Sequence, residues 1–174
     1  MTRNTRLTDY ERLPDANTPA GSADAQQFVY FTIGDQHYCV DIMAVREIRA
    51  WTGATSLPNS AAYVRGVINL RGAIVPVIDL RARFGQGVSE PTACNVVIIV
   101  AIGDTQNGLL VDAVSDILTV QASDIAPIPE MEGEDRNPFF KGLVLGQEKL
   151  RAVIALDQLV AQRNGGQSAN SAAA

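Results

Sequence analysis

The chain has 174 residues, 47% of them hydrophobic and 19% charged, the balance of a globular protein of one or two domains. Its 19 acidic and 14 basic residues leave a net charge of −5, which argues against the clustered Lys/Arg footprint that a nucleic-acid backbone requires. One histidine and two cysteines without CxxC spacing exclude a disulfide framework and a zinc site, and no apolar run is long enough to cross a bilayer as a helix.

Residues 1–26 mix Thr, Asn, Asp, Ala, Pro and Gly without periodicity and are expected to be a disordered lead. The opening residues carry no apolar core of a secretory signal, so the reading is cytoplasmic. Ordered chain is expected from Phe28, where FVYFTI reads as a strand, Gly34 and Asp35 as its turn, and residues 38–42 as a half-buried return strand. His37 beside that turn reads as an exposed turn residue. Residues 43–50 leave helix and strand open, although Val45 and Glu47 should fall on different faces. TGATSLPNS is loop, and Ser60 is a candidate N-cap for a short helix through Val64.

The most informative run is residues 63–81, YVRGVINLRGAIVPVIDLR. Val67, Ile68 and Leu70 form one strand, Arg71 and Gly72 a tight turn, and residues 73–78 a β-branched second strand. Gly72 supplies the positive φ that a type II or bulged hairpin turn demands, which places Arg71 at the hairpin tip. Pro76 has no N–H to give to a ladder, so the second strand is expected at a sheet edge or with that face turned outward. Asp79 then caps a short helix, LRARF, that Gly85 ends.

The second half repeats this plan. Sliding the chain by 69 positions sets Ile33, Gly34 and Asp35 on Ile102, Gly103 and Asp104, Val45 on Val114, Glu47 on Asp116 and Ile48 on Ile117. Further on, Gly66 answers to Gly142, and Ile78 and Asp79 to Leu156 and Asp157. Two divergent copies follow, at about 28–85 and 96–160, each of roughly 60 residues, a size that is marginal alone because it buries only about 60% of its unfolded surface. Short strands with Gly/Pro turns predict an all-β chain whose two small closed sheets share an apolar interface. A last helix runs from Asp157 to about Arg163, and residues 164–174 are expected to be a disordered tail.

No catalytic constellation is found: no P-loop, no GxGxxG after a strand, no GxSxG, no HExxH. Asp112 and Asp116 read as surface carboxylates, and PEMEGEDRN as a solvated acidic loop. No cofactor or metal is expected. Glu47 and Arg71, an acid and a base each in apolar surroundings, can pair across a surface. Val45, Ile48, Val96 and Val97 exceed the needs of a small core and are candidates for an apolar patch.

Residues 63–81, with Val45, Glu47 and Ile48 upstream, closely resemble the signature of the CheW coupling proteins of bacterial chemotaxis, in which an Arg-Gly tip follows an Asn-Leu pair. The similarity covers roughly residues 27–160, and the CheW-like domain is placed at 27–163. The resemblance implies two five-stranded SH3-like barrels and no catalytic activity. It implies an adaptor between chemoreceptor cytoplasmic tips and the regulatory domain of the histidine kinase CheA, recruited to membrane-bound receptor arrays without inserting in the membrane. The partner-binding residues it implies are Val45, Glu47, Gly66, Asn69 and Arg71, with Ile48 and Gly72 flanking them. A small β-barrel that binds single-stranded nucleic acid is the alternative, disfavoured by acidic charge and 6% aromatics.

Overall fold

The computed structural model describes residues 24–129, 138–146 and 149–161. The strands are β1 (Ala25–Ile33), β2 (Gln36–Asp41), β3 (Val45–Ala50), β4 (Val64–Leu70), β5 (Ala73–Asp79), β6 (Val96–Ile102), β7 (Thr105–Val111), β8 (Ala113–Gln121), β9 (Ile125–Ala126), β10 (Phe140–Leu145) and β11 (Leu150–Ile154). Two short helices, α1 (Leu80–Arg83) and α2 (Leu156–Ala161), follow β5 and β11. The expectations for residues 1–23, for the acidic loop from residue 130 to 137 and for the chain after 161 fall outside the described residues.

The strands form two barrel-like sheets, one of six strands in the order β8-β1-β2-β11-β10-β9 and one of five in the order β3-β6-β7-β5-β4. The fold is therefore the expected pair of small β-units, with one sheet lengthened by the two-residue β9. The expected boundaries do not hold. Neither 28–85 nor 96–160 makes a sheet by itself, because the opening hairpin of each half sits in the sheet of the other: β1 and β2 pair with β8 and β11, while β6 and β7 pair with β3 and β5. Turn residues specify which strands are neighbours in the chain. They say nothing of the partner a third strand takes across the core.

The exchange obeys the repeat residue by residue. Val45 faces Val100 and Glu47 faces Ile99, and 69 positions on Val114 faces Phe31 and Asp116 faces Tyr30, with a bulge at the same step in each pair. The parallel pairings match too, Val77 with Gly108 and Val153 with Cys39. In the later part of each half the offset is 76, since Val64 faces Ile78 as Phe140 faces Ile154. Ile78 thus corresponds to Ile154 and Leu80 to Leu156, which corrects the expected match of Ile78 and Asp79 to Leu156 and Asp157.

Three apolar clusters hold the sheets. The largest lies between them and takes Val29, Phe31 and Val40 from one sheet and Ile98, Val100, Leu109 and Val111 from the other. The five-stranded sheet wraps Val75, Val77, Val97, Ile99 and Leu110, and the six-stranded sheet wraps Phe28, Cys39, Val144 and Val153. Val96 and Val97, candidates for a surface patch, are used by these cores. Strand β2 is buried on both faces rather than one, with Tyr38 and Val40 in the shared core and Cys39 inside its own sheet. Burial pushes the Cys39 thiol up to about 12.

Other local expectations divide. Asp79 accepts from the Arg81 amide at 3.1 Å and caps α1 as expected, and its second oxygen takes the Ser89 amide at 2.8 Å. Residues 43–50 use both open alternatives, a 3₁₀ turn at Ile42–Ala44 and then β3. No helix follows Ser60, whose hydroxyl donates to the Leu57 carbonyl at 2.9 Å. Pro76 lies in an interior strand, but β5 pairs with β7 only from Val77 onward, so the missing N–H falls where that flank is still unpaired. His37 is half-buried, its Nδ1 is hydrogen-bonded with the Tyr30 hydroxyl, and burial with nearby Lys149 and Arg151 holds its pKa below the ordinary value.

Polar groups tie the two halves at their seams. Asp112, expected on the surface, accepts from the Gly34 amide at 2.6 Å and pairs with Arg81 at 2.9 Å, fastening the β1–β2 turn to α1. The Arg83 guanidinium lies between the Tyr63 and Phe139 rings, 4.1 and 4.5 Å from their centroids, and donates to the Leu159 carbonyl at 3.4 Å.

Two outcomes follow from this arrangement. A fragment ending at Gly87 lacks β6 and β7, the partners of β3 and β5, and its circular dichroism will show no cooperative thermal transition. Iodoacetamide at pH 8 will label one thiol of the native chain, the exposed Cys94, and two after denaturation, because Cys39 is buried with a raised pKa.

Candidate functional site

The site is built where the two ends of the five-stranded sheet approach each other. Strands β3 and β4 are its terminal strands, and residues 51–55 run between them, bonded to β4 through the Thr55 and Val67 amides and carbonyls at 2.9 and 2.8 Å. Between them opens a cleft of about 440 Å³ lined by Arg49, Trp51, Thr55, Val67, Ile68 and Asn69.

Leu70 faces Ala73, so β4 and β5 are joined by a two-residue turn, and both of its residues have positive φ, 51° at Arg71 and 87° at Gly72. This is the twist-matched primed turn of hairpins, not the expected type II or bulged turn, because Arg71 as well as Gly72 has positive φ. An arginine there carries a backbone cost of about 1–3 kcal/mol, which other contacts must offset. Asn69 supplies one, its Oδ1 accepting from the Gly72 amide at 2.8 Å. Glu47 supplies the second, meeting Arg71 Nη2 at 3.1 Å. The Arg71 side chain is 79% exposed and that of Glu47 26%. Arg49 lies on the other Glu47 oxygen at 3.6 Å, a member of the cluster that the sequence reading omitted.

Glu47 reaches Arg71 because of the bulge between Val45 and Glu47. In regular strand the two would share a face. The bulge turns Glu47 to the side of Ile99, inside the five-stranded sheet, while Val45 packs on the core between the sheets. The expectation of different faces is met by this irregularity. Ile48 lies opposite Ile98 at the free edge and is 44% exposed. Its equivalent Ile117 on β8 is 52% exposed, and Met43 in the turn before β3 is 77% exposed. The repeat alignment had paired Ile117 with Ile48, and that pairing was the signal for it.

Of the seven residues expected to meet partners, the structure gathers Glu47, Asn69, Arg71 and Gly72 into one exposed cluster. Ile48 and Val45 border it on the side of the shared core. Gly66 is different. It is buried at a bulge with φ 142°, and a β-carbon there would overlap the Thr55 carbonyl, so it sets the approach of residues 51–55. Among the described residues no group of three or more His, Cys, Asp or Glu side chains is placed to hold a metal, and no helix is long and apolar enough to cross a membrane.

The CheW-like domain model matches residues 27–164. The chain belongs to the CheW-like family. It is 46% identical over 134 residues to the chemotaxis protein CheW of Rhizobium meliloti strain 1021, covering 77% of this chain and 86% of the relative. It is 47% identical over 137 residues to a probable chemotaxis protein CheW of Rhizobium etli, covering 79% and 88%. Among solved structures, the scaffolding protein TtCheW of Thermoanaerobacter tengcongensis superposes with a TM-score of 0.71 at 34% identity, over 77% of this chain and 91% of that one. CheW-like chains are scaffolds and adaptors that work by binding proteins, and this chain is a chemotaxis coupling protein of that kind.

Two substitutions separate shape from surface. Gly66→Ala will lower stability by about 2 kcal/mol or more in urea unfolding, through the forced clash with Thr55. Arg71→Glu, which removes an exposed ion pair, will change stability by no more than about 1 kcal/mol in the same measurement.

Proposed function

We propose that the chain links the cytoplasmic tips of chemoreceptors to the regulatory domain of the histidine kinase CheA, in the cytoplasm at membrane-bound receptor arrays, without catalysing a reaction, binding nucleic acid or entering the membrane. The observation that carries this reading is the Glu47–Arg71 pair, held by Asn69 and Gly72 on an exposed tip. An exposed ion pair contributes about 0–1 kcal/mol to stability, which is less than the backbone cost of placing Arg71 at positive φ. A recognition surface accounts for the arrangement where stability does not.

Two kinds of surface suit two kinds of partner. The polar tip of Glu47, Asn69, Arg71 and Gly72 suits docking against another small β-domain. The apolar edge of Val45 and Ile48, with Met43 before it and the equivalent Val114 and Ile117 on β8, suits the apolar stripe of a helical hairpin laid against the seam between the sheets. Gly66 contributes by shaping the cleft beneath the tip.

The test is a pull-down of the full chain against receptor-tip fragments, the kinase regulatory domain and a single-stranded oligonucleotide at two salt concentrations. Arg71→Glu is expected to weaken binding to a protein partner by about tenfold or more, about 1.4 kcal/mol, with the melting midpoint nearly unchanged. Retention of the oligonucleotide alone would overturn the reading in favour of the nucleic-acid alternative.

A further inference from the structure

The cleft between β3 and β4 has a counterpart in the other half, and the two places are filled differently. Under the 69-residue offset Arg49 corresponds to Leu118 and Trp51 to Val120. The ladders agree: Arg49 faces Val97 as Leu118 faces Phe28, and the Trp51 amide donates to the Asn95 carbonyl where Val120 faces Gln26. Val120 is buried in the core of the six-stranded sheet, and Leu118 and Ile125 pack against that core. In the first half the same places hold a guanidinium and an indole beside an open cleft of about 440 Å³. The fold can close this end of a sheet from within. The first half leaves it open.

The groups that meet in the cleft suit an extended peptide segment. Trp51 is half-buried against the core of the five-stranded sheet, and Val67 and Ile68 line the cleft with it. Thr55 takes both outward backbone bonds of Val67, so two residues further along β4 the N–H and C=O of Asn69 point to the same side, toward the cleft. A helix could not use them, because its own N–H and C=O groups are already paired.

The cleft is also continuous with the exposed tip. Arg49 lies on Glu47 at 3.6 Å, and the Asn69 side chain holds the turn that carries Arg71. Two arginines to one glutamate make this rim positive in a chain of net charge −5. The volume is at the small end of the range of about 300–1,000 Å³ in which pockets bury a ligand, enough for one large side chain. Buried anchors of that kind carry most of the energy of protein interfaces.

We propose that this cleft is an anchor pocket: an extended segment of the β-domain partner bonds to the Asn69 backbone, lays an aromatic or large aliphatic side chain on Trp51, and sets an acidic residue opposite Arg49. This inference rests on the adaptor reading and adds to it the chemistry of the residues that enter the site.

Trp51 is the single tryptophan of the chain, so labelling with fluorotryptophan gives one fluorine NMR resonance that reports on the cleft and needs no substitution. It is followed in the full chain alone, with the kinase regulatory domain and with a helical receptor-tip fragment. The resonance is expected to move with the kinase domain and to stay in place with the helical fragment. Thr55→Phe, which fills the cleft from its wall, will raise the Kd for the kinase domain by about tenfold or more at an unchanged melting midpoint. Arg49→Glu will raise it by a similar factor, with Arg49→Lys near wild type. A resonance that stays in place while the kinase domain is bound would overturn the proposal, as would wild-type affinity in Thr55→Phe. Movement that follows the concentration of the chain alone would give the cleft to a second copy and overturn it as well. If Arg71→Glu weakens binding and Thr55→Phe does not, the cleft proposal falls and the adaptor reading stands. If the wild-type chain binds neither protein, both fall.

Discussion

The exchange of opening hairpins across a shared apolar core is the constraint on which the rest of the molecule depends. Each half lends two strands to the other sheet, so neither can bury its hydrophobic face until both are present. The core between the sheets is the largest of the three and draws on both ends of the chain, from Val29 to Leu159. Units of this size alone are close to the limit of independent stability, and intertwining removes that limit by making one cooperative body from two. It also decides where the surfaces lie. The third strand of each half must cross to the partner sheet, and so β3 and β8 become terminal strands beside the seam, with Val45 and Val114 reaching into the shared core.

The bulge in β3 lets one edge strand serve two purposes. Val45 packs inward while Glu47, two residues later, turns to the other face and meets Arg71. Without the inserted residue the acid and the valine would share a face, and the ion pair that spans the open end of the sheet could not form. The functional surface is thus a by-product of an irregularity in pairing. Residues 51–55 could not lie as close to β4 if any side chain replaced the hydrogen of Gly66.

Much of this was readable before any coordinates. The Arg-Gly turn and the capping role of Asp79 rest on short-range chemistry that a sequence displays directly, the duplication on self-similarity along the chain, and the pairing of Glu47 with Arg71 on a lone acid and a lone base in apolar surroundings. What was not readable depends on long-range partners. Contiguous halves were the natural reading because turns link neighbours in the chain, and nothing local in β2 announces that Cys39 is buried within a sheet completed by β11. Asp112 looked solvated because its ligands, Gly34 and Arg81, are remote in sequence. Ser60 failed as a helix cap because its hydroxyl closes a turn onto Leu57 instead.

The position of Arg83 carries a lesson about the duplication itself. Tyr63 and Phe139 are equivalent under the 76-residue offset, each giving its carbonyl to the amide that opens the following helix segment, at 2.7 Å in both cases. Arg83 lies between them and touches Leu159, its own counterpart. A residue meeting its own counterpart marks the local dyad. Two arginines there would set like charges against each other in a poorly hydrated place, whereas one arginine and one leucine make an aromatic sandwich over an aliphatic floor. Perfect twins could not have been kept at this spot, and divergence between the halves was a condition for fusing them tightly.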